Sequence, residues 1–327
     1  MIYLRDISLS FADRKIFEKI TWTINDRGRV GLVGDNGTGK TTMLRAILGT
    51  VDLDGGTIEI PDRKRVTIGY LPQDLVELEP IPLMNYLRRK SGIAELEESL
   101  KACEAALSAS VADDPDHEKC LKDYEAAMAR FQAKDGYAFE AQAKQVLAGF
   151  GFRQGDFGKN CAEFSGGWKM RIMLACILLA RPDIMLLDEP TNHLDTESLE
   201  WLESWLKDYP GTIVAIAHDR VFLDKIVTVI AELANRQITL YKGNYSYYLD
   251  EKERRREALK KEMELQRAEI KRIKEFVERF RYKATKASQV QSRLKMLEKF
   301  EVLQEEDSSK SVTIRFPESP RSGKEVL

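Results

Sequence analysis

Short apolar runs separated by turns fill the chain from Ile2 to about residue 75, with one helix pattern set among them. Arg29-Val30-Gly31-Leu32-Val33 has the length and β-branched content of a strand, and Asp54-Gly55-Gly56 reads as a turn. Short, partly antiparallel strands are expected here. From about Asn85 to Ala148 the period changes. Glu- and Lys-rich amphipathic stretches flank Ala112-Asp113-Asp114-Pro115-Asp116, which predicts two antiparallel helices joined at that turn. Strand and helix then alternate from Met185 to about Ile230, the pattern of a parallel α/β half. After Tyr248 the pattern is helical again. Ile270, Ile273, Phe276, Val277 and Phe280 fall on one helix face, and Val290, Leu294 and Leu297 on another. Lys283-Ala284-Thr285-Lys286-Ala287-Ser288 between them is small and polar, so a helical hairpin with its tip near Arg281 to Arg293 is expected.

Charge sharpens that last reading. Residues 251–300 hold 17 Lys plus Arg against nine Glu, an excess of eight in a chain whose formal net charge is −2. Between Arg279 and Lys299 there are seven basic residues and one acidic one, Glu298. A charge run is usually a solvated face. This lopsided balance favours contact with phosphates, through Arg279, Arg281, Lys283, Lys286 and Arg293, with Tyr282 and Gln291 able to stack or reach base edges. The 327 residues suffice for one large domain plus an appendage, or for two modest ones. Cys103, Cys120, Cys161 and Cys176 show no CxxC spacing and read as reduced core or helix residues. The apolar run Ile172 to Ala180 is far short of a membrane span and is bounded by Arg171 and Arg181. With no secretory leader recognisable, a cytoplasmic protein without membrane insertion is expected.

Three short motifs carry the chemistry. Gly34-Asp35-Asn36-Gly37-Thr38-Gly39-Lys40-Thr41 follows the strand Arg29–Val33 and has the P-loop spacing. Its glycines let the backbone curl so that N–H groups and a helix N-terminus point at phosphate oxygens. Lys40 would reach the β- and γ-phosphates and the Thr41 hydroxyl would ligate magnesium, with Thr42 beside it. A dinucleotide-binding glycine pattern also fits Gly31 to Gly37, but nothing in that pattern calls for Lys-Thr next. The apolar strand Ile184 to Leu187 ends in Asp188-Glu189. A carboxylate at that end faces the phosphate crevice of an open α/β sheet, where Asp188 can hold the magnesium shell and Glu189 can orient water.

At these residues the chain resembles the ATP-binding cassette family, and the resemblance covers nearly all of it. Ser165-Gly166-Gly167 looks like the family's signature motif, which implies N–H contacts to the γ-phosphate of ATP held by a different cassette. Gln73 matches the Q-loop, which links magnesium and the attacking water to the helical subdomain. Asn192-His193-Leu194-Asp195 matches the D-loop, with Asp195 its last residue, and His218 matches the switch histidine at the γ-phosphate. Phe11 sits where the family places an aromatic ring under adenine; it equally fits a β-core residue. Trp168-Lys169-Met170-Arg171 after the signature glycines and Glu189-Pro190-Thr191-Asn192-His193-Leu194-Asp195 resemble the ABC-F proteins, soluble ATPases that act on ribosomes. Gly243-Asn244-Tyr245-Ser246-Tyr247-Tyr248 looks like that family's cassette end, and Arg279 to Ala284 with Gln291-Ser292-Arg293 like its inter-cassette linker.

The expected fold is α/β: a P-loop NTPase cassette over residues 1–250, with an antiparallel β-subdomain and a helical subdomain at about 85–148. That subdomain is long enough for an ABC-F arm hairpin, or for a solvated insertion with no partner. A basic helical-hairpin linker at 251–305 and a tail at 306–327 follow, and the tail looks like the start of a second cassette. Each motif occurs once, so a complete site implies a second cassette in the same or another chain. The resemblance implies ATP and Mg2+ as cofactors, ATP hydrolysis, and the ribosome, its rRNA and tRNA, as partner. The other reading is the ATP-binding subunit of a membrane transporter; a basic hairpin after the cassette argues for the first. A chromosome or DNA-repair ATPase would carry very long coiled coils between Lys40 and Ser165, which are not seen.

Overall fold

The computed structural model describes residues 1–12, 14–74, 77–110, 115–280 and 292. Two antiparallel strands open it, β1 (Ile2–Phe11) and β2 (Arg14–Ile24), followed by β3 (Arg29–Val33) and the helix α1 (Lys40–Leu48). β4 (Gly55–Glu59) pairs antiparallel with the other side of β1, giving a three-stranded sheet in the order β2-β1-β4. Short strands were expected, yet β1 and β2 are 10 and 11 residues long. Bulges account for the difference. The β1–β2 register shifts between Leu4 and Ile7 and again before Leu9 and Ser10, and Asp6 and Lys19 adopt φ of 48° and 50°. Each slip changes the face to which the next residues point, so the alternation breaks and one long strand reads as two short ones. The Thr21 hydroxyl accepts from the Asp6 N–H and donates to the Asp6 carboxylate, which covers polar groups at the first bulge.

A six-stranded sheet lies at the centre, in the order β5-β6-β7-β3-β8-β9. Its further members are β5 (Ile68–Leu71), β6 (Ile184–Asp188), β7 (Thr212–Ile216), β8 (Val229–Ala234) and β9 (Gln237–Lys242). All neighbours run parallel except β8 and β9. β6 and β7 are buried along their whole length, which is why they read as unbroken apolar runs. Alternate residues feed two cores. Leu32, Leu186, Val214 and Ile216 join Met43, Leu44 and Ile47 of α1 and the inner face of the three-stranded sheet. Met185, Leu187, Ile213 and Ala215 join the helices instead.

Those helices are α2 (Leu83–Lys90), α3 (Ile93–Ala109), α4 (Pro115–Ala133), α5 (Phe139–Gly149), α6 (Gly166–Ala180), α7 (Thr196–Lys207) and α8 (Arg220–Ile226). α3 packs along α4, while α2 and α5 pack on α6. Of the turn expected at 112–116, residues 112–114 lie outside the described residues and Pro115 and Asp116 open α4. The chain divides into two compact units, Met1–Tyr248 and Leu249–Leu327. α9 (Tyr245–Phe280) is 36 residues long and starts inside the first unit, so the change in composition after Tyr248 does not interrupt the helix. Arg279 falls within α9. The second expected helix with Val290, Leu294 and Leu297, the tip residues Arg281, Lys283, Lys286 and Arg293, and the tail at 306–327 lie outside the described residues.

Phe150 follows α5 with no exposed surface, and its ring meets Trp201 of α7 edge-on at 5.1 Å. Phe150→Ala should therefore destabilise the first unit by about 3–5 kcal/mol, read as a lowered urea midpoint. A loss under about 1 kcal/mol would show that the site collapses around the cavity.

Candidate functional site

Parallel pairing brings distant residues to one edge. β3, β5, β6 and β7 all point the same way, so their C-terminal ends share an edge of the sheet. The P-loop leaves β3 there, Asp188 ends β6, His218 follows β7 by two residues, and Gln73 follows β5 by two. Register fixes the alignment: Leu71 lies opposite Leu187, and Asp188 opposite Ile216.

The P-loop itself needs glycine at two positions. Gly34 has φ 151°, and a Cβ on it would strike the Leu233 carbonyl oxygen and stand 3.1 Å from Thr38 Oγ1. Gly39 has φ 104° and would drive a Cβ into Ile16 and to 3.0 Å from the Phe17 ring. The loop therefore lies directly on the β8 backbone and on β2. Thr38 donates its hydroxyl to the Asp35 carbonyl at 2.9 Å, while Asp35, Asn36 and Gly37 face outward. Lys40 Nζ donates to the carbonyls of Gly34 at 2.8 Å and Asp35 at 3.0 Å. Burial holds its ammonium below the ordinary lysine value, against the pull of Glu189, Asp188 and Asp35. Thr41 and Thr42 are half-buried on the first turn of α1. Arg14 donates to the Gly37 carbonyl at 3.0 Å and so ties the β1–β2 turn to the loop. Phe11 pairs with Arg14 in that hairpin and is 51% exposed, so it is not a core residue.

Asp188 and Glu189 are 1% and 4% exposed. Burial pushes the Asp188 carboxyl above its ordinary value, opposed by the Thr41 hydroxyl, helped by Glu189, and opposed again by Arg45 and Lys40. Asp188 Oδ2 is buried with no hydrogen-bond partner among the described residues. A deeply buried carboxylate oxygen without a donor is costly, and a hard cation is the partner that such an oxygen suits. Oxygen donors from Asp188, Thr41 and the exposed Gln73 fit Mg2+. Glu189 adopts φ 54°, which bends the chain sharply at the strand end. Its N–H donates to the Ile216 carbonyl at 2.9 Å, and its Oε2 accepts from the His218 N–H at 3.1 Å. His218 Nε2 stands 3.4 Å from Glu189 Oε1, and the imidazole is 69% exposed.

On the helical side, Ser165 is the N-cap of α6 in extended conformation, and its exposed hydroxyl makes no capping bond. Gly166 and Gly167 then present the free N–H groups of a 15-residue helix. A Cβ on Gly167 would stand 3.4 Å from His193 Cβ, so the signature backs onto the D-loop. Arg171 joins the two. It donates to the His193 carbonyl from Nε at 3.1 Å and Nη2 at 2.9 Å, to Asp195 Oδ2 at 3.0 Å and to the Phe150 carbonyl at 2.9 Å. Its guanidinium also lies 4.7 Å from the Trp168 ring centre. Asp195 N-caps α7 through the Ser198 N–H at 2.8 Å, and that bond, followed by the Ser198 hydroxyl and Arg171, holds its carboxyl below the usual range. Sequence reasoning used Trp168 and Arg171 only as marks of kinship and passed over Arg14. An arginine one helical turn after a signature glycine was the available signal for Arg171.

Lysine cannot reproduce that five-donor fork. Arg171→Lys should cost about 1–3 kcal/mol and lower the thermal midpoint by several degrees. An unchanged melting curve would mean that the fork holds nothing in place.

Comparison with known proteins bears on the family and the fold. Two family profiles, both described as ABC transporter, match residues 17–192 and 231–316. YdiF of Bacillus subtilis (strain 168) is 36% identical over 100% of this chain and 51% of its own length. YheS of Escherichia coli (strain K12) is 34% identical over 98% and 48%. ATP-binding cassette sub-family F member 3 of Homo sapiens is 34% identical over 97% and 43%. The chain spans about half the length of the curated relatives it matches. Among solved structures, the ATP binding subunit of an ABC transporter superposes with a TM-score of 0.56 at 20% identity, over 74% of this chain and 90% of that one. It shares the fold. A signature helix, a P-loop and an acidic strand end in one cassette, with F-type relatives aligned along the whole sequence, place the chain in the ABC transporter family, in its F sub-family of ATP-binding cassette proteins.

Proposed function

We propose that this chain binds ATP with Mg2+ and hydrolyses it to ADP and phosphate, and that it does so as a translation factor on the ribosome. The observation that carries the first half is the unpartnered Asp188 Oδ2 beside Glu189 and Lys40, at the sheet edge where the P-loop begins. Mg2+, held by Asp188, Thr41 and Gln73, would neutralise charge on the β- and γ-phosphate oxygens. Lys40 exchanges its two carbonyl partners for phosphate oxygens and stabilises the charge that builds there. Glu189 takes a proton from the attacking water as the new oxygen–phosphorus bond forms and the bond to the β-phosphate oxygen breaks. His218, tied to Glu189 through its N–H, and Gln73 contact the γ-phosphate. Phe11, on the hairpin that Arg14 ties to the loop, stacks on adenine. Asp35, Asn36, Gly37 and Thr38 wrap the phosphates with their backbone.

Ser165, Gly166 and Gly167, with Asp195 nearby, act on nucleotide held by a second cassette. The free Ser165 hydroxyl and the open N-terminus of α6 support that reading. A chain that spans half of its relatives finds that cassette in a longer protein or in another chain. The second half of the reading rests on the F sub-family relatives and on the basic stretch after Tyr248, in which Arg279, Arg281, Lys283, Lys286 and Arg293 meet rRNA or tRNA phosphates in the cytoplasm.

Glu189→Gln keeps the size and the acceptor for the His218 N–H but loses the charge. ATP turnover should fall by about 10²- to 10⁴-fold with nucleotide affinity retained. Turnover at the parent rate would remove Glu189 from the chemistry. For the linker, co-sedimentation with ribosomes in the Glu189→Gln background with ATP should weaken steeply with salt. Each phosphate contact contributes about 0.9 units of slope on duplex nucleic acid. Replacing the five basic residues by Gln should flatten that slope and leave nucleotide binding unchanged. Equal sedimentation of parent and variant would count against the ribosomal reading and for a transporter subunit.

A further inference from the structure

The segment Gly243 to Tyr248 takes no part in the nucleotide site, yet it is fastened from two directions. Asn244 caps α9, its Oδ1 accepting from the Tyr247 N–H at 3.1 Å. Gly243 lies under the Tyr247 ring, where a Cβ would come within 2.5 Å of Cδ1. Asp224 holds Ser246 twice, accepting from its N–H at 2.7 Å and its hydroxyl at 2.8 Å. A carboxylate at the start of a long helix is also favoured by the helix dipole. Tyr248, 5% exposed, donates to Glu232 Oε1 at 2.8 Å, and Tyr241 donates to Oε2 at 3.1 Å. The two rings meet edge-on at 5.0 Å.

Both anchors stand on elements that carry the site. Asp224 is on α8, which Asp219 caps through the N–H groups of Val221 and Phe222, directly after His218. His218 in turn is bonded to Glu189. Glu232 lies on β8 opposite Val33, the last residue before Gly34, and the next carbonyl on β8, that of Leu233, is the one packed against Gly34. Each route from nucleotide to α9 is therefore one short rigid element long. Charge-assisted hydrogen bonds at its far end are strong and directional.

We propose that Asp224 and Glu232 are positioning residues that couple the nucleotide site to the first turn of α9, through Ser246 and Tyr248. The coupling rests on ATP binding at the P-loop. When the P-loop and the His218 segment take up phosphate oxygens, β8 and α8 are drawn into one arrangement, and the four hydrogen-bonding groups of the joint follow them. Tyr241 serves as an internal comparison, because its hydroxyl makes the same kind of bond to Glu232 from β9, while the ring that meets Tyr248 is kept in Tyr241→Phe.

Hydrogen exchange of the Tyr245–Leu249 amides, with and without ATP and Mg2+ in the Glu189→Gln background, tests this. Nucleotide affinity is measured in the same samples. Saturating nucleotide should slow exchange of that segment by about threefold or more. Asp224→Asn and Tyr248→Phe should each abolish most of that response with affinity unchanged, whereas Tyr241→Phe should keep it. A merely structural role for the joint would make Tyr241→Phe and Tyr248→Phe behave alike. Nucleotide binding without slowed exchange, or a full response in Asp224→Asn and Tyr248→Phe, overturns the coupling alone. Failure of the parent to bind nucleotide overturns the functional reading, and the coupling with it.

Discussion

The site depends on one constraint, the parallel pairing of β5, β6, β7 and β3. Gln73, Asp188, His218 and Lys40 are far apart in sequence, and no local interaction gathers them. Parallel register does, because strands that run the same way finish at the same edge. A slip of one residue between β6 and β7 would turn Leu187 and Ala215 to the wrong core and move Asp188 off the edge. The two cores on either face of the sheet therefore fix the chemistry as firmly as they fix the fold.

Much of this was legible in the sequence because it is local. The P-loop spacing, the acidic end of Ile184–Asp188 and the buried apolar runs are each written in consecutive residues. Tertiary features were not. Arg171 reaches His193 and Asp195 across more than twenty residues, and its place one turn after Gly167 marks the helix it stands on but not those partners. The bulges of β1 and β2 disguised long strands as short ones. The start of α9 was hidden by composition: Tyr245-Ser246-Tyr247-Tyr248 has the aromatic content of a strand, and Asp224 and Glu232 hold it as the first helical turn. Asn244 was the readable cue, as an N-cap before that turn.

The electrostatics of the edge follow from the same geometry. Adjacent carboxylates, both deeply buried, lie within the influence of a single lysine whose own charge burial disfavours. Glu189 has His218 and Lys40 has two backbone carbonyls, but one Asp188 oxygen has no donor among the described residues. On the proposed function, a nucleotide with its divalent cation would supply a partner for the Asp188 oxygen and phosphate oxygens for Lys40 at once. The protein would then meet its ligand with charges already desolvated and aimed, which lowers the reorganisation needed on binding.

Glu189, like Asp6 and Lys19 at the bulges, is a place where the chain is held against its own preference. A glutamate at φ 54° costs about 1–2 kcal/mol relative to right-handed backbone, whereas glycine or asparagine would tolerate the bend. On the proposed function, durability and chemistry therefore pull on this position in opposite directions. A population selected only for resistance to heat would drift away from glutamate at 189. Its members would keep the cassette's shape and lose the carboxylate at its edge, so heat resistance in a variant library is a poor guide to which members remain active.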